Sequence, residues 1–416
     1  MPNDSASPEP PDTKRLDILD LADQCVKCGL CIEHCPTYRH QRNEADSPRG
    51  RIALIQGWIS GQIPHNKRLG AHLDGCLECR ACETACPSLV RFATIMDGAR
   101  AYREQTRSPI VRRAKLIRLR ALASPSLAHM MAGLSALYRR LGLHRVAAGL
   151  GIQRSPLLNA YHRLTLGFVS TRGTPAIQTP GQPDVDLYLG CVSRTTQGST
   201  LEAAHRVLMQ LKLQVRICAE QTCCGAMLRH NGFPGQADEQ LSRNAGAFGD
   251  RPILGIASAC IAELRSHPKL RGAQELCDFL ADHVGFDAVR LQPLPGDAWV
   301  HEPCSHRNQL GGNSAVFRLL QRIPELRVAP LSDNAFCCGA AGTYLISQPV
   351  LSAALLGDKI AHLRANPRRF LVTTNTGCAL QLASGIREAG LDIEVCHPVD
   401  LIARQLRAPN VSRDQI

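Results

Sequence analysis

The chain has 416 residues, a net charge of +12 and nineteen cysteines. A chain of this length predicts two or three domains with substantial cores. Its first residues lack the basic start and apolar run of a signal peptide, and no run of about 18 apolar residues predicts a membrane-spanning helix. We therefore expect a cytoplasmic protein whose cysteines bind metal rather than pair as disulfides.

The positive charge is concentrated in one segment. Residues 100–172 hold fourteen Lys and Arg residues and one acidic residue, Glu104. Such a segment can contact nucleic acid, an anionic membrane surface or an acidic partner. Aromatic residues make up only 4% of the chain and no nucleic-acid-binding motif accompanies the charge, so we expect no nucleic-acid partner.

Two cysteine runs near the N-terminus share the pattern C-x2-C-x2-C-x3-C-P. In this pattern three closely spaced thiolates bind one iron–sulfur cluster and the fourth cysteine binds the other. Zinc is the alternative for C-x2-C pairs, but two identical four-cysteine runs disfavour it. The predicted ligands of two [4Fe-4S] clusters are Cys25, Cys28, Cys31 and Cys86 for cluster 1, and Cys76, Cys79, Cys82 and Cys35 for cluster 2.

The residues around the runs predict helices. Ser47 can cap a helix whose first turn holds Pro48, and a second helix is expected over residues 67–73. Helices between the runs favour an α-helical ferredoxin domain over a small β-rich one. The basic segment that follows also predicts helices. They could lie on a membrane surface, but packing against protein is the favoured interpretation.

The C-terminal half of the chain contains an internal duplication. The cysteines of its first copy are separated by 31 and 35 residues, those of the second by 32 and 39, and each copy carries a Cys-Cys-Gly triplet. Apolar runs before these cysteines predict buried strands, and the helical patterns that follow predict largely parallel sheets. Sites in such sheets lie at the carboxyl ends of the strands. We therefore predict a further redox or metal site in each half, formed by Cys191, Cys223, Cys224 and Cys260 and by Cys304, Cys337, Cys338 and Cys378.

The alternative for these eight residues is a buried or reducible cysteine pair without metal. Three cysteines outside the repeat are expected to be buried structural residues. Three histidines near the second copy are expected to be hydrogen-bonded structural residues, with a functional role as the alternative. These two sets are Cys218, Cys277 and Cys396, and His301, His306 and His397.

The predicted architecture is α+β and multidomain. An α-helical ferredoxin domain precedes two repeated α/β cysteine-rich (CCG) domains. The expected divisions are a disordered tail over 1–14, the ferredoxin domain over 15–106, the basic helical segment and linker over 107–183, and the two cysteine-rich domains over 184–295 and 296–407.

This combination resembles a known family in which two ferredoxin runs precede two CCG domains. Within that family the chain is most similar to the iron–sulfur subunit of bacterial glycolate oxidase. The resemblance spans about residues 20–407, and its more selective stretches are 46–52, 72–76, 301–304, 337–344 and 376–382. It implies the electron-transfer subunit of an oxidoreductase, with no catalytic residue of its own. FAD-binding partner subunits would oxidise glycolate or a similar 2-hydroxy acid, and electrons would pass through this chain toward the quinone pool.

Other functions of the same class stay open. The chain could serve a respiratory complex fed by glycerol 3-phosphate or lactate, or a heterodisulfide-reductase-like complex. Related heterodisulfide reductase subunits end each cysteine-rich domain with C-x2-C, whereas Glu263 and Gln381 stand at the second cysteine here. Each half therefore has four repeat cysteines rather than five, which disfavours the double cluster of that family. The expected location is the cytoplasm, with a candidate peripheral contact on the inner face of the membrane.

Overall fold

The computed structural model describes residues 13–167, 182–312 and 314–406. The tail expected over 1–14 lies almost wholly outside these ranges. Most of the linker expected within 107–183 lies outside them as well. None of the described helices is both long and apolar enough to cross a membrane.

The N-terminal region is helical, as the sequence predicts. Ser47 Oγ accepts a hydrogen bond from Gly50 N at 2.9 Å and caps the helix that begins at Pro48. Asn66 caps the next helix in the same way, through Leu69 N. The helices are α1 (Thr13–Asp23), α2 (Pro36–Gln41), α3 (Pro48–Ile59), α4 (Lys67–Asp74), α5 (Ala81–Thr84) and α6 (Phe92–Gln105), with a 3-10 turn at Glu44–Asp46.

The described part of the basic segment forms four helices, three of which begin with proline at the first turn. Its last helix packs against the C-terminal domain so closely that a Cβ atom on Gly167 would lie 2.7 Å from the carbonyl oxygen of Leu380. The helices are α7 (Pro109–Leu122), α8 (Pro125–Arg140), α9 (Leu143–Gly149) and α10 (Pro156–Gly167), with a 3-10 turn at Ile152–Arg154.

The duplicated region forms two four-stranded sheets with the same topology, and every strand pair is parallel. The first sheet has the order β2-β1-β3-β4 and the second β6-β5-β7-β8. The strands are β1 (Val185–Tyr188), β2 (Val215–Arg216), β3 (Ile253–Gly255), β4 (Gln274–Glu275), β5 (Gly296–Val300), β6 (Leu326–Pro330), β7 (Phe370–Val372) and β8 (Glu394–Cys396).

Helices connect the strands of both sheets. In the first half they are α11 (Ser193–Thr196), α12 (Gly198–Gln210), α13 (Ala226–Arg229), α14 (Pro234–Ala247), α15 (Ser258–Leu264) and α16 (Leu276–Asp282), with 3-10 turns at Pro268–Leu270 and Val284–Ala288. In the second half they are α17 (Cys304–Gln309), α18 (Ser314–Leu320), α19 (Tyr344–Ser347), α20 (Pro349–Ala365), α21 (Thr376–Glu388) and α22 (Pro398–Gln405).

The two halves share one hydrophobic core. Leu187 and Leu208 of the first half and Val300, Leu320 and Ile402 of the second belong to a single buried cluster. Full burial of each such side chain contributes about 1.5–3 kcal/mol. Each half also has a smaller buried cluster of its own, around Leu241 in the first and Leu382 in the second, so the shared core joins two partly independent cores.

Polar pairs also join the halves. His397 caps α22 and its Nε2 lies 3.1 Å from Oε1 of Glu275, which caps α16, and both side chains are fully buried. Burial opposes the charge of Glu275, but the hydrogen bond and the positive charge of His397 outweigh it and lower the pKa of Glu275. Ser258 Oγ and Ser305 Oγ, 2.8 Å apart, bridge the same interface.

Candidate metal centres

The two ferredoxin runs form loops with the same backbone conformation. Lys27 and Gly29 have φ values of 56° and 90°, and Glu78 and Arg80, at the equivalent positions of the second run, have 52° and 59°. Left-handed residues at these positions turn the chain sharply between successive cysteines. Each loop thus directs several thiols toward one point.

Two hollows in the N-terminal region are each lined by four cysteines. The first takes three cysteines from the first run and one from the second. The second hollow takes three from the second run and one from the first. Their cysteines are Cys25, Cys28, Cys31 and Cys86, and Cys76, Cys79, Cys82 and Cys35. The structure thus brings together the eight residues in the two predicted groups, and four thiols around each hollow suit a [4Fe-4S] cluster.

The two hollows differ in their exposure. Cys28 is exposed, and the apolar side chains of Val26, Leu30 and Leu89 beside the first hollow are 70%, 59% and 79% exposed. Cys35, Cys76 and Cys82 of the second hollow are buried. The cysteines of the first hollow are therefore more exposed than those of the second.

Buried arginines hold the second hollow. Arg51, 1% exposed, donates to the carbonyl oxygen of His72 at 2.7 Å and to Thr37 Oγ1 at 2.9 Å. Arg100 pairs with Glu78 and donates to the carbonyl oxygens of Leu73 and Cys76 at 2.8 and 2.9 Å. These cations offset the negative charge that four thiolates would bring into a buried site.

The pKa values of the thiols reflect these environments. Burial raises the pKa of the Cys31 thiol to about 11. Burial also raises the pKa of Cys76, while the positive charges of Arg51 and Arg100 act in the opposite direction. Binding to iron would supply the positive charge that keeps these sulfurs deprotonated.

The cysteine-rich halves gather their four cysteines as well. In the first half the sulfurs of Cys191 and Cys223 lie 3.5 Å apart, and hydrogen bonds from Cys191 and Cys224 lower the pKa of Cys223. Cys260 hydrogen-bonds to Cys224. Gly225, with φ 95°, follows the pair and leaves only 3.0 Å between a Cβ atom and the backbone of Ala237.

The second half repeats this arrangement. The sulfurs of Cys338 and Cys378 lie 3.1 Å apart, and hydrogen bonds from Cys304 and Cys338 lower the pKa of Cys337. The predicted cysteines therefore come together in both halves. The three cysteines outside the repeat, Cys218, Cys277 and Cys396, are also buried, and Cys218 packs in the same apolar cluster as Cys224. The structural role expected of these three stays a prediction.

The second hollow adjoins the second cysteine-rich site. Cys79 belongs to the same apolar cluster as Cys304 and Cys337. Asn308 Nδ2 donates to the carbonyl oxygen of Cys79 at 2.7 Å, and Tyr344 Oη donates to that of Gly75 at 2.9 Å. Contacts from the second cysteine-rich half thus fix both ends of the loop that carries Cys79.

Two further side chains lie beside the cysteine-rich sites: Tyr188, which the sequence did not single out, and His301, which was expected to be a structural histidine with a functional role as the alternative. Tyr188 and His301 stand at matching positions, each three residues before the first repeat cysteine of its half. Burial raises the pKa of Tyr188 and all four thiols of the first half add to the rise, while burial lowers the pKa of His301 to about 3. Their position just before the first cysteine is the signal that could have drawn attention to both.

Comparison with known proteins agrees with this arrangement. A family model for the 4Fe-4S dicluster domain matches residues 21–90, and one for the cysteine-rich domain matches residues 185–265 and 298–383. The chain thus combines a 4Fe-4S dicluster domain with two cysteine-rich domains, in that order. This confirms the predicted fold class.

Relatives of known name cover most of the chain. The glycolate oxidase iron–sulfur subunit of Escherichia coli is 29% identical over 402 residues, which is 92% of this chain and 93% of that protein. The probable glycolate oxidase iron–sulfur subunit of Bacillus subtilis is 29% identical and covers 91% of this chain and 92% of that protein. Lactate utilization protein A of Geobacillus kaustophilus is 27% identical but covers only 54% of this chain.

Proposed function

We propose that this chain is the iron–sulfur electron-transfer subunit of a glycolate oxidase complex, in which FAD-binding partner subunits oxidise glycolate or a similar 2-hydroxy acid. The observation that carries the proposal is the pair of four-cysteine hollows, one with more exposed cysteines and one against the second cysteine-rich half. Each [4Fe-4S] cluster, when bound, would supply a one-electron redox centre. Similarity along the whole chain to glycolate oxidase iron–sulfur subunits supports the choice of substrate.

The residues around the hollows support a direction for transfer. The exposed thiol of Cys28 and the apolar side chains of Val26, Leu30 and Leu89 offer a docking surface for the partner that delivers electrons. The buried thiol of Cys82 faces the other hollow, whose loop is fixed by the second cysteine-rich half. Electrons would therefore enter at the first run and leave through the second half toward the quinone pool.

Anaerobic reduction of the assembled complex tests the substrate. With the FAD-binding partners present, glycolate should reduce the clusters, as seen by loss of visible absorbance and the appearance of electron paramagnetic resonance signals. The chain alone should not respond, because it would lack the flavin site. Reduction by glycerol 3-phosphate but not by glycolate would contradict the proposal and favour the alternative complex.

The surface of the basic segment supports a peripheral membrane location on the cytoplasmic side. Leu119 packs on Leu228 and Phe233, and Ala128 and Ala132 pack on the C-terminal half, but most large apolar side chains of α7–α10 are exposed. Packing within the chain thus covers only part of these helices, whereas the sequence favoured packing against this protein or a partner subunit. The exposed apolar residues are Ile110, Val111, Ile117, Met130, Leu134, Leu137, Leu141, Leu143, Val146, Leu150, Leu157, Leu158 and Tyr161.

Exposed arginines accompany this apolar surface. They are Arg112, Arg113, Arg118, Arg120, Arg140, Arg145 and Arg154. Lys115 is not among them, because its ammonium group lies 2.8 Å from both Glu104 Oε1 and the carbonyl oxygen of Asn231. Apolar side chains among exposed cations suit an anionic lipid surface.

Vesicle binding tests this location. Replacing Arg112, Arg113, Arg118 and Arg120 with Gln should weaken binding to phosphatidylglycerol vesicles by roughly two to three orders of magnitude, at about 1 kcal/mol for each arginine. The matched control replaces four exposed arginines elsewhere, namely Arg243, Arg271, Arg318 and Arg327. Equal losses in the two variants, or no binding by the unaltered chain, would contradict a lipid-facing role for this surface.

A further inference from the structure

His301 is a buried histidine with one unused nitrogen. It follows β5 directly, is 1% exposed, and its Nδ1 lies 3.1 Å from Thr373 Oγ1. Its Nε2 is buried without a hydrogen-bond partner among the described residues. Such an atom destabilises the folded state, because it has lost its hydrogen bonds to water and has formed none with the protein.

This histidine meets two thiols of the second cysteine-rich half. A ring nitrogen of His301 and the sulfurs of Cys338 and Cys378 all lie within 4.8 Å of one another, and all three residues are buried. Since Nδ1 is engaged by Thr373, Nε2 is the nitrogen left to bind a ligand. Imidazole with thiolates is the donor set that zinc and ferrous ions accept.

The distance between the sulfurs of Cys338 and Cys378 favours a single metal ion over a cube-shaped [4Fe-4S] cluster. Two thiolates on one tetrahedral ion, each at about 2.3 Å from it, are about 3.8 Å apart. The sulfurs of Cys338 and Cys378, at 3.1 Å, need to separate only slightly to reach that distance. The ligands of a cube bind different irons and stand farther apart, and among the described residues no three of the eight N-terminal cysteines form such a close group.

The first half provides an internal comparison. Tyr188 occupies the position of His301, and its hydroxyl group donates to the carbonyl oxygen of Thr222 at 2.9 Å. No three ligand atoms of its four cysteines form a close group within the described part of the chain. The first half therefore has the thiols without the nitrogen donor.

A second difference concerns charge. Lys359, ten residues after the proline that begins α20, is 2% exposed, and its ammonium group donates to the carbonyl oxygen of Asp333. The equivalent residue of α14 is neutral Asn244, which binds Thr222 N and the carbonyl oxygen of Cys223. The charges of Cys338 and Cys337 act on Lys359, together with that of Asp333. Among the described residues, the second half thus has a buried lysine beside its thiols where the first half has an asparagine.

We propose that His301, Cys338 and Cys378 bind one divalent cation of the zinc or ferrous class, and that the first half has no equivalent site. Binding would form two metal–sulfur bonds and one metal–nitrogen bond and release the two thiol protons to solvent, which leaves a neutral centre. If Cys304 or Cys337 supplies a third thiolate, Lys359 balances the resulting negative charge. The proposal concerns metal binding alone and does not depend on the substrate of the complex.

Zinc binding by the full-length, cluster-loaded chain tests this site. X-ray absorption at the zinc edge is blind to cluster iron and should show sulfur at about 2.3 Å together with nitrogen at about 2.0–2.1 Å. His301→Asn keeps a polar group toward Thr373 but lacks Nε2, and Cys378→Ser removes a thiolate. Both should lose at least tenfold in zinc affinity against a competing chelator, a drop of the kind seen for changes at metal sites.

Two controls match these variants. His306→Asn alters another fully buried histidine of the same half, whose two nitrogens already meet Thr374 and Asp278. Cys260→Ser alters the first-half counterpart of Cys378. Neither should change zinc affinity, and the resonance signals of the two cubes should stay intact in all four variants.

Several results would overturn the site. They are an unaltered chain that binds no zinc, a zinc edge with sulfur neighbours alone, a His301→Asn variant with unchanged affinity, and a loss in Cys260→Ser but not in Cys378→Ser. The spectrum of the unaltered protein requires no variant, so the test holds even if a substitution prevents folding. Failure here would leave the iron content of the N-terminal hollows, and hence the proposed electron transfer, unaffected.

Discussion

The two ferredoxin runs have the same cysteine spacing and lie in opposite surroundings. The first run lines a hollow beside exposed Cys28 and Leu89. The second run is hydrogen-bonded by buried Arg100 and packs against the second cysteine-rich half. The motif therefore determines the local loop, and long-range packing determines which hollow a partner can reach. An electron-transfer subunit needs this asymmetry, because one redox centre must meet the donor and the other must face the next centre.

The largest expected effect comes from replacing one cluster-binding cysteine in each run. Cys28→Ser and Cys79→Ser should each lose one cluster, or about four irons per chain, because a serine oxygen replaces a soft thiolate poorly on iron. Only Cys79→Ser should also lower the melting temperature strongly, since Cys79 packs with Cys304 and Cys337. Iron analysis and thermal unfolding check both variants. Equal melting temperatures in the two variants would contradict the claim that packing around the second run stabilises the fold more than packing around the first.

Removing a buried cation should have the next largest effect. Arg100→Met leaves buried Glu78 with only the partly exposed His230 as a cationic neighbour and should cost about 3 kcal/mol of unfolding free energy. Chemical denaturation of the cluster-loaded chain measures this loss. The matched control on the first run is Arg49→Met, which breaks an exposed pair with Glu44 at 2.7 Å and should have little measurable effect. A similar loss in both variants would contradict the difference in burial.

The smallest expected effect concerns the hydroxyl group of Tyr344. It donates to the carbonyl oxygen of Gly75 at 2.9 Å, immediately before the second run. Tyr344→Phe should cost about 1 kcal/mol of unfolding free energy and should leave both clusters in place. Tyr161→Phe, at a tyrosine that is 45% exposed, is the control and should change nothing. Cluster loss in Tyr344→Phe would mean that this hydrogen bond is also needed to hold the cluster.

Much of the fold follows from local sequence patterns. Ser47 and Pro48 mark the start of α3, and the buried central strands β1, β3, β5 and β7 follow apolar runs. The edge strands escaped prediction because they are short or partly exposed. Val215–Arg216 and Gln274–Glu275, for example, have two residues each and carry no clear alternation. Their positions depend on pairing with a central strand already in place.

The environment of the sites was harder to predict than their cysteines. Cysteine spacing alone groups the ligands, because the pattern reflects the needs of the cluster. Lys115 belongs to a basic segment by sequence, yet Glu104 and Asn231 occupy its ammonium group. The free nitrogen of His301 likewise depends on Thr373, which directly follows β7 and lies far along the chain. Such contacts arise only when distant segments meet.

The most direct test of the central claim is iron and acid-labile sulfide per chain on anaerobically purified protein, combined with electron paramagnetic resonance after reduction. Two cubes held by the two sets of four cysteines predict about eight irons and eight sulfides and two interacting signals. Zinc in place of iron in the N-terminal hollows, or about four irons with a single signal, would contradict the account.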